Sequence, residues 1–275
     1  MGKKTIHFEK FNSINNFIRT INSREMNSIF KEARTESSKE GSYDFCKTNS
    51  YKEAEELLTK GWSEPLENLK KGVADYKLTS TRNRTKTRYD VAGFQASVPR
   101  AIIGLPDSMI NTTVIRQKVK AITLVYDGGA NCRVKTDEYI KNGTKMLNIV
   151  NNLESRGIKV SLDLNFGAVK NNEVVDVRIK LKDFKDTLDI KKVAFVIAHP
   201  SMLRRIIFRW MERHPKMTET NFPWGYGSSL YMCDNSTLNE IKKVILKENE
   251  YYINFTDLSM ENDIDKLINN LKIAV

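Results

Sequence analysis

An aspartate and a histidine of this sequence each follow a short apolar segment, and their side chains could do acid–base chemistry. Asp127 follows the segment 121–126, and His199 follows the segment 193–198. Both segments are typical of buried strands. If the two strands are parallel, both residues lie at the same edge of one sheet and could exchange protons with a substrate. The alternative is a hydrogen-bonded histidine without a catalytic role, because no nucleophile elbow, phosphate loop or metal motif accompanies the pair.

The loop after the first of these strands is the predicted ligand site. Ligands of open α/β sheets usually bind outside the carboxyl ends of the strands. The helix predicted after His199 starts at the same edge, where the amide groups of its first turn could meet an anion. A tight turn is the alternative for the two glycines, because glycine is favoured there on backbone grounds alone. The predicted site comprises Asp127, Gly128, Gly129, Asn131, His199 and Ser201.

The surrounding patterns predict the elements that position this loop. Thr136 is the predicted N-cap of a long amphipathic helix that ends at Gly157. Strands are predicted at 158–166 and at 251–255, the second at an edge of the sheet. The segment 174–181 alternates apolar and charged residues, which predicts a half-exposed strand. The expected fold is α/β, with a mostly parallel central sheet flanked by helices.

Three regions are predicted along the chain. Residues 1–78 form an N-terminal helical region, because apolar residues between Phe8 and Ile21 follow helical spacing. Residues 79–118 form a basic arm followed by a connector that contains glycine and proline. We expect this connector to pack close to the sheet, because its small residues permit close approach of the backbone. Residues 119–275 form the α/β core domain.

The chain is basic, which favours acidic partners. It has 45 Lys and Arg residues against 34 Asp and Glu residues, a net charge of +11 and a pI near 9.4. Cations that alternate with hydroxyl residues in the arm suit phosphate oxygens, and the helix predicted after His199 adds more. A solvated linker is the alternative for the arm, because it lacks the aromatic residues of a stacking surface. The candidate nucleic-acid-binding residues are Arg82, Arg84, Lys86, Arg88, Arg204, Arg205 and Arg209.

Aromatic residues in two places could bind a partner, bases at the first and bases or a peptide at the second, and packing against the rest of the protein is the alternative for both. Trp62 lies between two predicted amphipathic helices, where tryptophan commonly fills a core. Phe222, Trp224 and Tyr226 lie in a loop that also contains glycine and proline. Arg100 lies among apolar residues and therefore needs a carboxylate or a bound anion.

The composition also predicts where the protein works. The chain has no apolar run of the roughly 18 residues that a membrane span needs, and its first residues lack the apolar core of a signal peptide. Cys46, Cys132 and Cys233 are widely spaced, leave an odd thiol and form no metal-ligand pair. These features predict a cytoplasmic protein in a reducing compartment that has no contact with a membrane.

Several short motifs carry a resemblance to a known family. They are Gly61-Trp62, Asp90-Val-Ala-Gly-Phe-Gln95, Val98-Pro-Arg-Ala101, Gly104-Leu-Pro-Asp-Ser-Met109 and Tyr126-Asp127. With these motifs the chain resembles, from about residue 40 onward, an uncharacterised protein family encoded by phages and integrated elements of Gram-positive bacteria. The resemblance implies a phage or mobile-element protein that acts inside a bacterial host cell. It implies no particular activity.

The core is also similar to the opening of von Willebrand factor A-type domains, a Rossmann-like arrangement of strand, aspartate, small polar loop, long helix and strand. Those domains hold a divalent cation with Asp-x-Ser-x-Ser, and the matching positions here are Asp127, Gly129 and Asn131. Only Asp127 and Asn131 could supply oxygen to a metal, so two hydroxyl ligands are missing. Because Mg²⁺ prefers near-octahedral oxygen coordination, we expect no cofactor at this degenerate site.

Three hypotheses about function follow. The first is a non-enzymatic binding protein of a phage or mobile element that contacts a protein or a nucleic acid through the loop edge of the core. The second is a nucleic-acid-binding protein of phage DNA metabolism that uses the basic arm. The third is a hydrolase that uses Asp127 and His199, which requires these two side chains to lie within hydrogen-bonding reach.

Overall fold

The computed structural model describes residues 4–30, 35, 42–63, 85–114, 120–170, 172–217 and 228–273. In these ranges the strands are β1 Thr5–Phe11, β2 Thr85–Asp90, β3 Gln95–Ala96, β4 Met109–Val114, β5 Ala121–Asp127, β6 Lys159–Lys170, β7 Glu173–Lys182, β8 Ser228–Ser229 and β9 Glu250–Asn254. The α-helices are α1 Ile14–Ser23, α2 Ser42–Cys46, α3 Tyr51–Lys60, α4 Val98–Ile102, α5 Thr136–Ser155, α6 Ile190–Ala198, α7 Phe208–Glu212, α8 Asn235–Ile245, α9 Phe255–Met260 and α10 Ile264–Asn270. A π-helical segment, Met202–Ile207, leads directly into α7, and a 3₁₀ turn covers Leu230–Met232.

The central sheet confirms the predicted α/β fold. Its strand order is β1-β7-β6-β5-β9, and β8 pairs with β6. β5 is parallel to both β6 and β9, and β1 is parallel to β7. Only β6 and β7 are antiparallel within that order, because they form a hairpin. The sheet is therefore mostly parallel, and helices flank it.

Alternation along the strands divides the buried residues between the two faces of the sheet. Leu124 and Tyr126 of β5 belong to the large apolar core, together with residues of α5 and α6. Val125 belongs to a smaller apolar cluster on the opposite face, together with Ile241 and Ile245 of α8. Asp127 is two residues beyond Val125, so its side chain lies on the face that α8 covers.

The segment 193–198 is a helix, so the prediction of a central strand was wrong. Asp189 caps α6 by accepting hydrogen bonds from the backbone N–H groups of Lys191 and Lys192. Every residue from Val193 to Ala198 is buried, because neighbouring helices surround this part of α6. A helix buried on all sides has no polar face, and its short apolar sequence cannot be distinguished from that of a buried strand.

Other predicted elements agree in type and differ at their ends. The long helix begins at Thr136, with Lys135 rather than Thr136 at the N-cap position. Gly157 follows its C-terminus with a φ of 83°, as predicted. The segment after His199 is helical as predicted, although its first part is a π-helix. Residues 5–11 form a strand of the central sheet instead of a helix, because β1 pairs with β7 along its whole length.

A second, three-stranded antiparallel sheet contains residues 85–114, the described part of the arm and the connector. Its strand order is β2-β4-β3, and α4 lies between β3 and β4 in the chain. The expectation that the connector packs close to the central sheet was wrong, because most of the large apolar side chains in its described part are exposed. Arg100 pairs with Asp107 at 2.6 Å and lies over the ring of Tyr89, so a carboxylate rather than a bound anion compensates its charge.

None of the helices in the described ranges is both long and apolar enough to cross a membrane.

Candidate binding site at the end of strand β5

A pocket of about 440 Å³ lies beside the loop that follows β5. Two residues of the predicted site, Gly129 and Asn131, line it. Large apolar side chains form most of its wall, and small residues lie between them. The lining residues are Phe45, Gly129, Ala130, Asn131, Cys132, Phe166, Gly167, Ala168, Leu203, Phe208, Met211, Ser229 and Met232.

The pocket exists because β5 is shorter than its neighbour β6. The β5–β6 ladder ends where Asp127 pairs with Asn165, and β8 joins the same side of β6 only at Ala168. Phe166 and Gly167 lie between these two ladders, and both line the pocket. The site is therefore a gap at the carboxyl end of a central strand, where α/β proteins usually bind ligands.

Asp127 lies beneath this loop and is fully buried. Its carboxylate accepts hydrogen bonds from the N–H of Gly129 at 2.9 Å and from the hydroxyl of Tyr252 at 2.5 Å. Burial raises the pKa of this carboxyl to about 6, although the hydrogen bonds from Tyr252 and Gly129 act in the opposite direction. Asp127 therefore fixes the loop through its hydrogen bond to Gly129. Because its pKa is about 6, the charge of its carboxyl changes with pH just below neutrality.

A second buried carboxyl lies next to the pocket, and the sequence did not predict it. Asp176 of β7 accepts a hydrogen bond at 2.9 Å from the side-chain amide of Asn165, and burial raises the pKa of Asp176 well above its usual value. A Cβ atom on Gly167 would lie 2.6 Å from an oxygen of Asp176, so only glycine fits at that position. The alternating pattern of β7 had suggested that Asp176 faces solvent, but this face of the sheet is covered.

His199 and Ser201 are structural and do not line the pocket. The ring of His199 contacts Trp62 and Phe195, and its Nδ1 accepts the N–H of Ser201 at 3.0 Å. Burial lowers the pKa of His199 to about 3, so the ring is neutral at physiological pH. The hydroxyl of Ser201 lies 2.8 Å from that of Thr48. Trp62 is buried, in agreement with a role in the core.

Asp127 and His199 lie on opposite faces of the sheet, so the acid–base pair that the sequence suggested is not formed. Asp127 contacts Tyr252, which belongs to the cluster under α8. His199 packs on Phe195, which belongs to the large core on the other face. The error has the same origin as the error about 193–198, because His199 ends a helix and not a strand.

The three arginines of the helical segment after His199 do not form an exposed basic face, which corrects that prediction. The guanidinium of Arg204 donates to the backbone carbonyls of Cys132 and Val134, at 3.1 and 3.0 Å, and so holds the wall of the pocket. Arg205 is 1% exposed and donates to Thr48. Arg209 lies 3.9 Å from the centre of the Tyr51 ring.

The remaining candidate cations belong to the arm. Arg88 is exposed and pairs with Asp90 at 2.7 Å. Lys86 lies in β2. Two further candidates, Arg82 and Arg84, lie outside the described residues, as do the aromatic residues of the loop 222–226.

The two candidate metal ligands point to different surroundings. The carboxylate of Asp127 is buried under the loop, whereas Asn131 is exposed and its side-chain oxygen accepts the N–H of Arg133 at 2.9 Å. Within the part of the chain that the structure describes, no group of three His, Cys, Asp or Glu side chains could hold a metal ion.

Together these features define the class: a mixed α/β protein with an uncharged, largely apolar pocket at the carboxyl end of a central strand. A family model described as a domain of unknown function, DUF7192, matches residues 2–273. Because the match covers nearly the whole chain, the chain belongs to that family. The comparison with curated proteins and the comparison with solved structures each found no match.

Proposed function

We propose that this protein is a non-enzymatic binding protein that contacts a protein partner through the pocket beside β5. The observation that carries the proposal is the lining of the pocket, which contains no charged side chain and six large apolar ones. An apolar pocket of this size suits an apolar anchor side chain, the kind of residue that contributes most to protein–protein affinity.

The rim of the pocket supports a macromolecular partner. Phe45 and Met232 lie at the opening and are 36% and 57% exposed, so apolar surface continues beyond the cavity. Asn131 and Arg133 are exposed next to it and can donate hydrogen bonds to a partner. A central apolar pocket with a polar rim is the usual anatomy of a protein–protein interface.

Nucleic acid is the second candidate partner, because the chain has a net charge of +11 and the arm carries Lys86 and Arg88, although Arg88 is paired with Asp90. Phosphate contacts require cations that are free to reach the backbone of the nucleic acid. Arg204, Arg205 and Arg209 are buried, and Arg204 donates to backbone carbonyls in the wall of the pocket, which favours a protein partner at this site.

We further propose that the partner is met in the cytoplasm of a bacterial host during the life of a phage or mobile element. The support is the resemblance carried by the motifs between Gly61 and Asp127.

The proposal is tested by capture of partners from infected host cells with a matched pair of variants. Met232→Glu places a charge at the mouth of the pocket, and Met260→Glu places the same charge on α9 at a position that is 82% exposed and does not line the pocket. We expect the wild type and Met260→Glu to retain the same protein after nuclease treatment, and Met232→Glu to lose it. Equal capture by both variants would rule out the pocket, and loss of capture after nuclease treatment would favour nucleic acid.

A further inference from the structure

We infer that the small sheet is the surface through which two copies of this chain associate. The sheet and its connections present large apolar side chains to solvent. Five of them, Val91, Phe94, Val98, Ile102 and Ile103, are each more than 60% exposed. A single exposed apolar side chain is common on protein surfaces. Several of them in the short stretch of chain between β2 and β4 mark an interaction surface.

The small sheet lacks a core of its own within the described residues. Helix α4 contributes no buried residue, and β3 is only two residues long. A three-stranded sheet becomes stable when one of its faces is covered by apolar contacts. The exposed side chains of α4 are therefore placed to form those contacts with another molecule.

The charges on this surface favour a second copy over an acidic partner. The chain as a whole is strongly basic, with a net charge of +11. On the small sheet, however, Arg88 pairs with Asp90 at 2.7 Å and Arg100 pairs with Asp107 at 2.6 Å. Because these four residues form two ion pairs, they add no net charge where two such surfaces would meet, and they offer an acidic partner no unpaired cation. Lys86 of β2 is the one further charged residue in the described part of this sheet and its connections.

The strand arrangement also suits a two-fold axis. β2 is an edge strand of the small sheet, because within the described ranges it pairs only with β4. An unpaired strand edge can pair with the same edge of another copy, and a two-fold dimer uses one surface on both subunits. Residues Thr87 to Tyr89 at this edge are exposed. The two β2 strands are thus expected at the axis, with the apolar side chains of α4 beside it.

The test is the molar mass of the purified full-length chain in solution, measured by sedimentation equilibrium over a range of concentrations. We expect the wild type to dimerise. Ile102→Asp and Phe94→Asp should each weaken dimerisation at least about 30-fold, as expected for substitution of a residue central to an interface. Two variants with charges at other exposed apolar positions, Val244→Asp and Met260→Asp, are the matched controls and should remain dimeric.

Circular dichroism and thermal unfolding of each variant show whether it is folded, because Ile102 and Phe94 are exposed and their replacement should not disturb the core. A wild type that stays monomeric at about 100 μM, well above the concentrations of stable homodimers, would overturn the inference. Equal dimerisation of all four variants would also overturn it. A monomer that instead captures another protein through Ile102 and Phe94 would assign the surface to that protein. Met232→Glu should remain dimeric, so the test is independent of the pocket.

Discussion

Arg178 joins three elements from a position inside the protein where only 1% of it is exposed. Its guanidinium pairs with Asp163 of β6 at 2.7 Å and with Glu250 of β9 at 2.6 Å, and it donates to the backbone carbonyl of Ile245 at 3.0 Å. Its two acidic partners come from strands that are not adjacent in the sheet. Arg178 therefore fixes the position of the edge strand β9 and of the C-terminus of α8.

Replacing Arg178 with methionine should destabilise the protein severely, since the buried Asp163 and the largely buried Glu250 would both lose their ion pair with the guanidinium. We expect the free energy of unfolding in urea to fall by about 3–5 kcal/mol. The matched control is Arg88→Met, which removes an exposed ion pair and should cost less than about 1 kcal/mol. Similar losses in the two variants would show that the buried network contributes nothing.

The buried carboxyl of Asp127 should make stability depend on pH between about 4 and 6. Its pKa rises from 3.8 to about 6 on folding, so the folded state binds more protons than the unfolded state in this window. The contribution of Asp127 to stability is therefore lost as pH rises through that range. At about 1.4 kcal/mol per pK unit, the loss amounts to about 3 kcal/mol.

The measurement is the free energy of unfolding of the wild type and of Asp127→Asn from pH 4 to pH 7. We expect the wild type to lose stability relative to Asp127→Asn as pH rises, because the buried aspartate ionises and asparagine does not. Asp137→Asn, at an exposed position of α5, is the control and should change the profile little. A constant difference over this range would contradict the raised pKa of Asp127.

At the scale of elements, the contact between α5 and α6 depends on a glycine. A Cβ atom on Gly143 would lie 2.7 Å from the Cβ of Ala198, closer than two such atoms can approach. Gly143→Ala should therefore destabilise the protein by about 1–3 kcal/mol, although alanine is the better helix former. The double variant Gly143→Ala/Ala198→Gly restores the space between the helices. Its loss of stability should therefore be smaller than the sum of the losses in Gly143→Ala and Ala198→Gly. Additive losses in thermal unfolding would show that the two helices do not meet at this point.

Some elements could be predicted from the sequence because all the local signals in their segments indicated the same structure. The unit from β5 to β6 combines a short apolar strand, a glycine loop, an amphipathic helix and a glycine with positive φ at its end. Each of these signals acts over a few residues, so no knowledge of distant contacts was needed. The prediction of a ligand site at the loop after β5 rested on that unit and on the general behaviour of α/β sheets.

Other elements could not be predicted because distant contacts decide them. Phe8 and Phe11 follow helical spacing, but pairing with β7 makes their segment a strand. The alternating sequence of β7 predicts that Asp176 and Arg178 face solvent. In the structure α8 and its neighbours cover them, and both are buried. The walls of the pocket come from five separate segments of the chain, and no spacing in the sequence brings Phe45, Leu203 and Met232 together.

At the scale of the whole molecule, salt should affect the two kinds of association in opposite directions. Two copies that each carry a net charge of +11 repel one another, and salt screens this repulsion. We therefore expect the dimer to become tighter when NaCl is raised from about 50 to 300 mM, a range in which the Debye length falls substantially.

Binding to nucleic acid would instead weaken, because salt competes for the phosphates. Sedimentation at the two salt concentrations checks this, and a dimer that loosens in high salt would mean that attraction between charges holds it.

The pairing of β1 with β7 has a consequence for how the protein is made. Thr5 of β1 lies opposite Glu173 of β7, so β1 cannot pair with this neighbour until the whole segment between the two strands has been translated. At a translation rate of roughly 5–20 residues per second, β1 remains without its partner strand for about ten seconds or more. During that interval Phe8 and Phe11 lack their strand partner and could pair wrongly, so we expect ribosome-associated chaperones to bind this segment.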